Sequence, residues 1–267
     1  MEARNIKLLI AYDGTDFCGW QRQDKGRTVQ GAIEDALFKM HGHYVNLTGS
    51  GRTDSGVHAA GQTANFYTTI DSIAPRSFVP ALNSLLPGDV RILEADEAGG
   101  DFHARFSACA RTYRYYFLCR PALPHESRYN LQLRRFPRID LLNAYGRLLW
   151  GETDCSIFAG AGDSSKSKRR YIYSCQFYIE KDVLVFEIRA NAFLRNMVRS
   201  AAGTFLHYEE KDAPPEKLRE IIASGKRSLA GPTLPPQGLF LWRVDYAAGI
   251  YSNSFSTTSS KSSGLPM

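Results

Sequence analysis

Residues 49–62 read GSGRTDSGVHAAGQ, a polar stretch punctuated by glycine and set between segments near 44–48 and 62–68 that read as short strands. Gly49, Gly51 and Gly56 admit backbone conformations that side chains resist, and they let a large ligand approach the main chain. Arg52 and Asp54 are two apart, so on extended backbone their side chains share a face. A guanidinium beside a carboxylate favours the ionised form, and an ionised carboxylate in a partly dry cleft is a nucleophile or a base. The plainer alternative is a turn in which Asp54 caps backbone amides.

Outward from this loop the chain alternates strand and helix signals. Ile6 to Tyr12 reads as a strand stopped by Asp13-Gly14. Thr28 is a helix cap before Val29, Ile33, Ala36, Leu37 and Met40, the spacing of one buried helical face. PRSFVPALNSLL (75–86) reads as a helix ending at Pro87-Gly88 and leading into a strand near 90–96. RTYRYYFLC (111–119) is an aromatic-rich strand, and IDLLNAYGRLLWG (139–151) a helix stopped by its final glycine. Residues 171–179 and 183–190 alternate apolar and polar around EKD and predict a hairpin. AFLRNMVRSAAGTFL (192–206) predicts a helix with a wide apolar stripe from Phe193 to Leu206 and with Arg195, Asn196 and Arg199 on the other side. A helix near 215–224 and a strand near 239–246 follow.

This order predicts an α+β fold in two similar α/β halves, residues 1–105 and 106–250, with a mixed, largely antiparallel sheet and helices on one face. No tandem sequence repeat is visible, so the duplication rests on element order. Residues 251–267 are Ser/Thr-rich and read as a disordered tail.

The formal charge of +6 favours a polyanionic partner without identifying one. Five cysteines, odd in number and without a C-x-x-C pair, argue against a disulfide framework or a structural zinc site and fit a reducing cytosol. His41 and His43 lack neighbouring ligands, so no metal site is expected. Neither a signal peptide nor the roughly 18–20 apolar residues of a membrane span is expected.

Three other stretches could carry chemistry. Tyr113 and Tyr115 share a strand face between Arg111 and Arg114, which suits a core or a surface that stacks on bases. SSKSKRRY (164–171) presents Lys166, Lys168, Arg169 and Arg170, either as a solvated run or as a grip on a phosphate backbone. Arg199 points to water or supplies a second guanidinium for a buried carboxylate.

YDGTDFCGWQRQ, TVQGAIEDAL, GSGRTDSGVHAAGQ, ALNSLLPGDV, DFHARFSACARTYRY, ANAFLRNMVR and GLFLWRVDY occur in the order and spacing typical of TruA-type tRNA pseudouridine synthases. The resemblance runs from about Ile6 to Tyr246. It implies the pseudouridine synthase fold with a catalytic cleft between the halves. It also implies isomerisation of uridine to pseudouridine at positions 38, 39 and 40 of the tRNA anticodon stem-loop. A cytoplasmic homodimer is implied, with one tRNA spanning both subunits and neither metal nor organic cofactor. By the same resemblance Asp54 is the catalytic aspartate, and Tyr113 contacts the target base and is a candidate for removing its C5 proton. Arg52 helps hold the flipped-out nucleotide, and Arg199 pairs with the aspartate. Thr112 and GPTLPPQGLFL depart from the family pattern. Two other functions stay open: a nucleosidase-type hydrolase, which usually requires a second carboxylate such as Asp13, Asp16 or Asp89, and a non-catalytic tRNA-binding module.

Overall fold

Ile6, Leu8 and Ile10 alternate along strand β1 (Arg4–Tyr12) and are fully buried on one face. The computed structural model describes residues 3–247, so the predicted tail at 251–267 lies outside the described residues. Helix α1 (Val29–His41) follows, and the Thr28 hydroxyl caps it by accepting from Gly31 N–H at 3.2 Å. Strands β2 (Thr48–Gly49) and β3 (His58–Thr68), helix α2 (Phe78–Leu85) and strand β4 (Val90–Ala98) complete the first half. The second half runs β5 (Ala108–Leu118), β6 (Leu131–Gln132), α3 (Ile139–Arg147), β7 (Gly151–Asp154), β8 (Arg169–Glu180), β9 (Val183–Ala190), α4 (Met197–Glu210), α5 (Pro215–Ser224) and β10 (Leu239–Tyr246).

All ten strands belong to one mixed sheet, in the order β4-β1-β3-β10-β5-β9-β8-β7, with β2 on β3 and β6 on β5. The duplication read from element order is visible in this topology. In the first half β1 lies between β4 and β3, and β2 adds to β3. In the second half β5 lies between β10 and β9, and β8 adds to β9. Each half thus contains a β-α-β-β-α-β unit with its opening strand at the centre, to which the second half adds β6, β7 and α5. The pairings are antiparallel except where β3 meets β10 and where β5 meets β6.

The halves join because β2 is so short. It occupies the edge of β3 only at Asn65 and Ala64, which leaves His58 and Ala59 free to pair with Phe240 and Leu241 of β10. Leu8 is in register with Ala64, and Tyr113 with both Leu241 and Ile188, so one apolar face continues across the junction. Side chains from all five helices pack with that face in a single hydrophobic cluster. No helix among the described residues is long and apolar enough to cross a membrane.

Three local expectations need correction. The helix predicted over 139–151 ends at Arg147, and Gly151 instead opens β7. The strand predicted at 44–48 is reduced to Thr48–Gly49. Leu47 finds side-chain partners on α1 instead of a ladder: its N–H donates to Glu34 Oε1 at 3.3 Å, and its carbonyl accepts from Gln30 Nε2 at 3.0 Å. The helix predicted from Ala192 begins only at Met197, after Asn196 turns into the left-handed region at φ 59°. Asp163 accepts from Arg195 N–H, and Gly160 N–H donates to Arg195 carbonyl, so this backbone is engaged by the 160–163 loop before the helix starts. Arg195 and Asn196 are therefore not on a helix face, whereas Arg199 lies in the first turn of α4.

Candidate active site

The loop that opens the sequence reading is pinned from both sides. Tyr12, at the end of β1, hydrogen-bonds through its hydroxyl to Thr53 Oγ1 at 2.8 Å. The 13–20 segment runs beneath the loop: Trp20 N–H donates to Thr53 carbonyl, Gly56 N–H to Phe17 carbonyl, and Ser55 Oγ to the same Phe17 carbonyl at 3.1 Å. On the other flank Gln62 accepts from Ser50 Oγ at 2.6 Å and donates to Gly51 carbonyl at 2.8 Å. With so many anchors the loop is held in one shape rather than free as a surface turn.

Glycine is required here for close backbone and ring contacts. Gly19 has φ 91°, and a Cβ on it would lie 2.6 Å from Thr53 carbonyl oxygen. A Cβ on Gly49 would come within 2.5 Å of the Trp20 indole nitrogen. Gly49 thus makes room for Trp20, not for a ligand.

Asp54 is 32% exposed at its side chain. Arg199 Nη1 lies 3.5 Å from its Oδ2. The Arg199 side chain is only 15% exposed, and it is oriented by two further bonds: Nε donates to Leu234 carbonyl at 2.6 Å, and Nη1 to Asn196 Oδ1 at 3.1 Å. The left-handed turn at Asn196 therefore places the amide that steers the guanidinium. Arg52 is exposed and forms no ion pair with Asp54 among the described residues. The cation in contact with the carboxylate comes from the second half of the chain, not from two residues away.

Tyr113 sits on β5 at 8% exposure, with its ring edge-on to Phe193 at 5.0 Å. Burial, and then the negative charge of Asp54, push its phenol well above the ordinary value. The group is a neutral phenol at physiological pH, and its hydroxyl has no hydrogen-bond partner among the described residues. Tyr115, by contrast, is fully buried and donates to Pro235 carbonyl at 2.5 Å, a core role.

The sequence singled out GPTLPPQGLFL only as a departure from the family pattern and gave residues 234–237 no role in the site. Leu234 carbonyl accepts from Arg199, Pro235 carbonyl from Tyr115, and Gln237 carbonyl from His58 Nε2 at 3.0 Å, while Pro236 packs against Gly56. The signal was the paired prolines, which cannot donate to a ladder and leave a run of carbonyls for side chains to claim.

His58 is also part of this junction. Its Nε2 lies 3.0 Å from Gln237 carbonyl, and its Nδ1 meets both Gly14 N–H at 3.0 Å and Asp13 Oδ1. Burial pushes its pKa below the ordinary value, and this outweighs the opposing pull of Asp13 Oδ1 at 3.1 Å. At Asp13 burial acts upward, but hydrogen bonds from Thr15, Arg128 and Tyr129 hold the carboxyl well below the usual range. Asp13 and Asp16 both pair with Arg128, and Asp89 pairs with Arg27. None of the three carboxylates considered as a second acid is linked to Asp54.

In the basic loop, Lys168 pairs with Asp163 and Arg169 Nε with Glu152 at 2.7 Å, while Arg170 Nη1 donates to Ser167 carbonyl at 2.8 Å. Lys166 is exposed and unpaired among the described residues. The described residues contain no cluster of three or more His, Cys, Asp or Glu side chains able to hold a metal.

A family model described as tRNA pseudouridine synthase matches residues 8–107 and 146–247. Arg52, Asp54 and Arg199 fall inside the matched stretches, and Tyr113 lies between them. The chain is 52% identical over 249 residues to tRNA pseudouridine synthase A of Treponema denticola, covering 91% of this chain and 93% of that protein. It is 46% identical over 261 residues to the protein of the same name from Treponema pallidum, covering 96% and 91%. The Caldicellulosiruptor saccharolyticus protein of that name is 45% identical over 249 residues, covering 91% of this chain and all of its own length.

Proposed function

The chain belongs to the tRNA pseudouridine synthase family, and from that premise we propose that Asp54 starts the conversion of uridine to pseudouridine within tRNA. The enzyme is an isomerase: the N1–C1′ bond breaks, the uracil turns, and a C5–C1′ bond forms, with no atom gained and no redox change. Neither C1′ nor C5 is accessible inside a stacked stem, so the nucleotide must leave the stack at a cost of a few kcal/mol.

The observation that carries this reading is the Asp54–Arg199 pair, 3.5 Å apart at a partly exposed position. Arg199 lies against the Asp54 carboxylate, whose oxygen attacks C1′ or C6 or takes the C2′ proton; all three routes use that oxygen. Tyr113 packs on the uracil and limits its rotation. Arg52, exposed beside Asp54, contacts phosphates around the displaced nucleotide, and Lys166, Lys168, Arg169 and Arg170 contact the tRNA backbone. The targets are positions 38, 39 and 40 of the anticodon stem-loop, and the working unit is a cytoplasmic homodimer that binds one tRNA across both subunits.

A nucleosidase-type hydrolase would need a second carboxylate near Asp54, and Asp13, Asp16 and Asp89 are committed to arginines. The test is to incubate purified protein with tRNA transcripts, map pseudouridine by position, and assay for free uracil. Pseudouridine at 38–40 without released base supports the reading; released uracil, or no change in the tRNA, overturns it.

A further inference from the structure

The motif DFHARFSA has no part in the site described so far, yet it builds an unusual surface. Phe106 is 77% exposed, more than any other large hydrophobic side chain among the described residues. An exposed phenylalanine on a floppy loop would mean little, but this loop is ordered from within. His103 Nδ1 accepts from Arg105 N–H at 3.2 Å and Phe106 N–H at 3.3 Å, and Ser107 Oγ accepts from His103 N–H at 3.1 Å. The Phe106 ring rests against the His103 ring with centroids 4.3 Å apart, and the Arg105 guanidinium lies 5.7 Å from the Phe106 centroid. Arg105 is exposed and has no carboxylate partner among the described residues.

This tip is also coupled to the catalytic loop. One side chain, Arg111, donates through Nη2 to Arg105 carbonyl at 2.8 Å and to Ser50 carbonyl at 2.9 Å. Ser50 opens the stretch that carries Asp54 four residues later. A rigid ring open to solvent, an adjacent unpaired cation, and a link to the loop of the reacting carboxylate match the chemistry of base stacking on single-stranded nucleic acid.

We infer that Phe106, with Arg105 beside it, is a stacking platform for an unpaired base of the tRNA other than the one that enters the Asp54 site. This rests on the proposed function only for the identity of the RNA. The ring supplies a face that accepts any base, and the guanidinium adds attraction for the neighbouring phosphate. Because Arg111 ties the platform to the Asp54 loop, docking a base there also sets the register of the strand that must deliver the target uridine.

The experiment compares Phe106→Leu, which keeps apolar volume but removes the π face, with Phe106→Tyr, which keeps the ring. Binding of an unmodified tRNA transcript is followed by fluorescence anisotropy, pseudouridine formation by steady-state kinetics, and subunit association by sedimentation. The leucine variant should bind tRNA roughly tenfold more weakly or worse, with the loss falling on KM more than on kcat and with an unchanged melting temperature. The tyrosine variant should behave as wild type. Wild-type tRNA affinity in the leucine variant overturns the inference, as does equal damage in the tyrosine variant. A loss of subunit association in the leucine variant also overturns it, by assigning the patch to a second copy of the chain. Absence of pseudouridine formation by the wild-type enzyme would instead strike the proposed function, because the binding comparison reads the platform independently.

Discussion

Arg199 Nη1 lies 3.5 Å from Asp54 Oδ2, although the two residues are 145 positions apart in the chain. The contact exists because two β-α-β-β-α-β units share one sheet through the short parallel pairing of β3 with β10. The loop entering β3 carries the carboxylate, and the first turn of α4 carries the guanidinium. The segment entering β10 holds that guanidinium through Leu234 carbonyl.

Asp54→Asn nearly preserves size while removing the charge. Pseudouridine formation in tRNA should fall by about 10²–10⁴-fold or more, with tRNA binding and melting temperature unchanged because the side chain is partly exposed. Conversion at the wild-type rate in a mapping assay would remove Asp54 from the chemistry.

Arg199→Lys keeps a positive charge but loses the Nε–H bond to Leu234. We expect kcat to fall about 10–100-fold and stability to drop by about 1 kcal/mol. In the Asp54→Asn background the stability loss should persist and the further loss of rate should vanish, since only the latter depends on the carboxylate. Urea unfolding and single-turnover kinetics on the double mutant separate the two effects.

Gly19→Ala would force a side chain into a left-handed position and against Thr53 carbonyl. The combined strain and overpacking should cost roughly 2–4 kcal/mol. Activity should fall as well, because the displaced backbone is that of Thr53 and Asp54. A denaturant midpoint equal to wild type would show that the loop yields easily.

His58 gives a pH dependence with a definite sign. Its folded pKa lies below the ordinary histidine value of about 6.5, so between those two values the unfolded chain binds more protons than the folded one. Stability should therefore decline as pH drops through about 6.5 and level off below the folded pKa. The charged groups facing the ring are Asp13 and Arg128; its other neighbours are Gly14, Tyr129, Gln237 and Phe240. His58→Gln should flatten the dependence in that window when unfolding is followed across pH, and an unaltered slope would assign it to other groups.

Lys166→Ala should lower the slope of log affinity for tRNA against log salt by about 1. Arg169→Ala should add less, because Glu152 already engages that guanidinium. Binding measured between about 50 and 200 mM salt decides this, and an unchanged slope takes the loop off the RNA-contact surface.

Some of this was legible one element at a time. The alternation of β1, the Thr28 cap, the hairpin of β8 and β9, and the apolar spacing of α1 are set within a few residues, so periodicity and capping were enough to find them. The order of these elements already implied two similar halves. Elsewhere local pattern misled. Val45 and Leu47 are apolar and alternate, but α1 side chains satisfy the Leu47 backbone in place of a ladder. Phe193 and Leu194 continue the helical stripe in sequence, yet the 160–163 loop claims the backbone around Arg195 first.

By itself, then, the sequence determined the family, the elements of each half, and the loop that presents Asp54, because motifs, caps and periodicities are written in neighbouring residues. Local spacing pointed to Arg52 and the family resemblance to Arg199 as the partner of that carboxylate; only the tertiary structure decided how Arg199 reaches it, and that the carbonyls of 234–237 hold Arg199, Tyr115 and His58 in place. Those contacts join residues distant along the chain, and they come into range only once β10 pairs with β3 and draws the second half against the first.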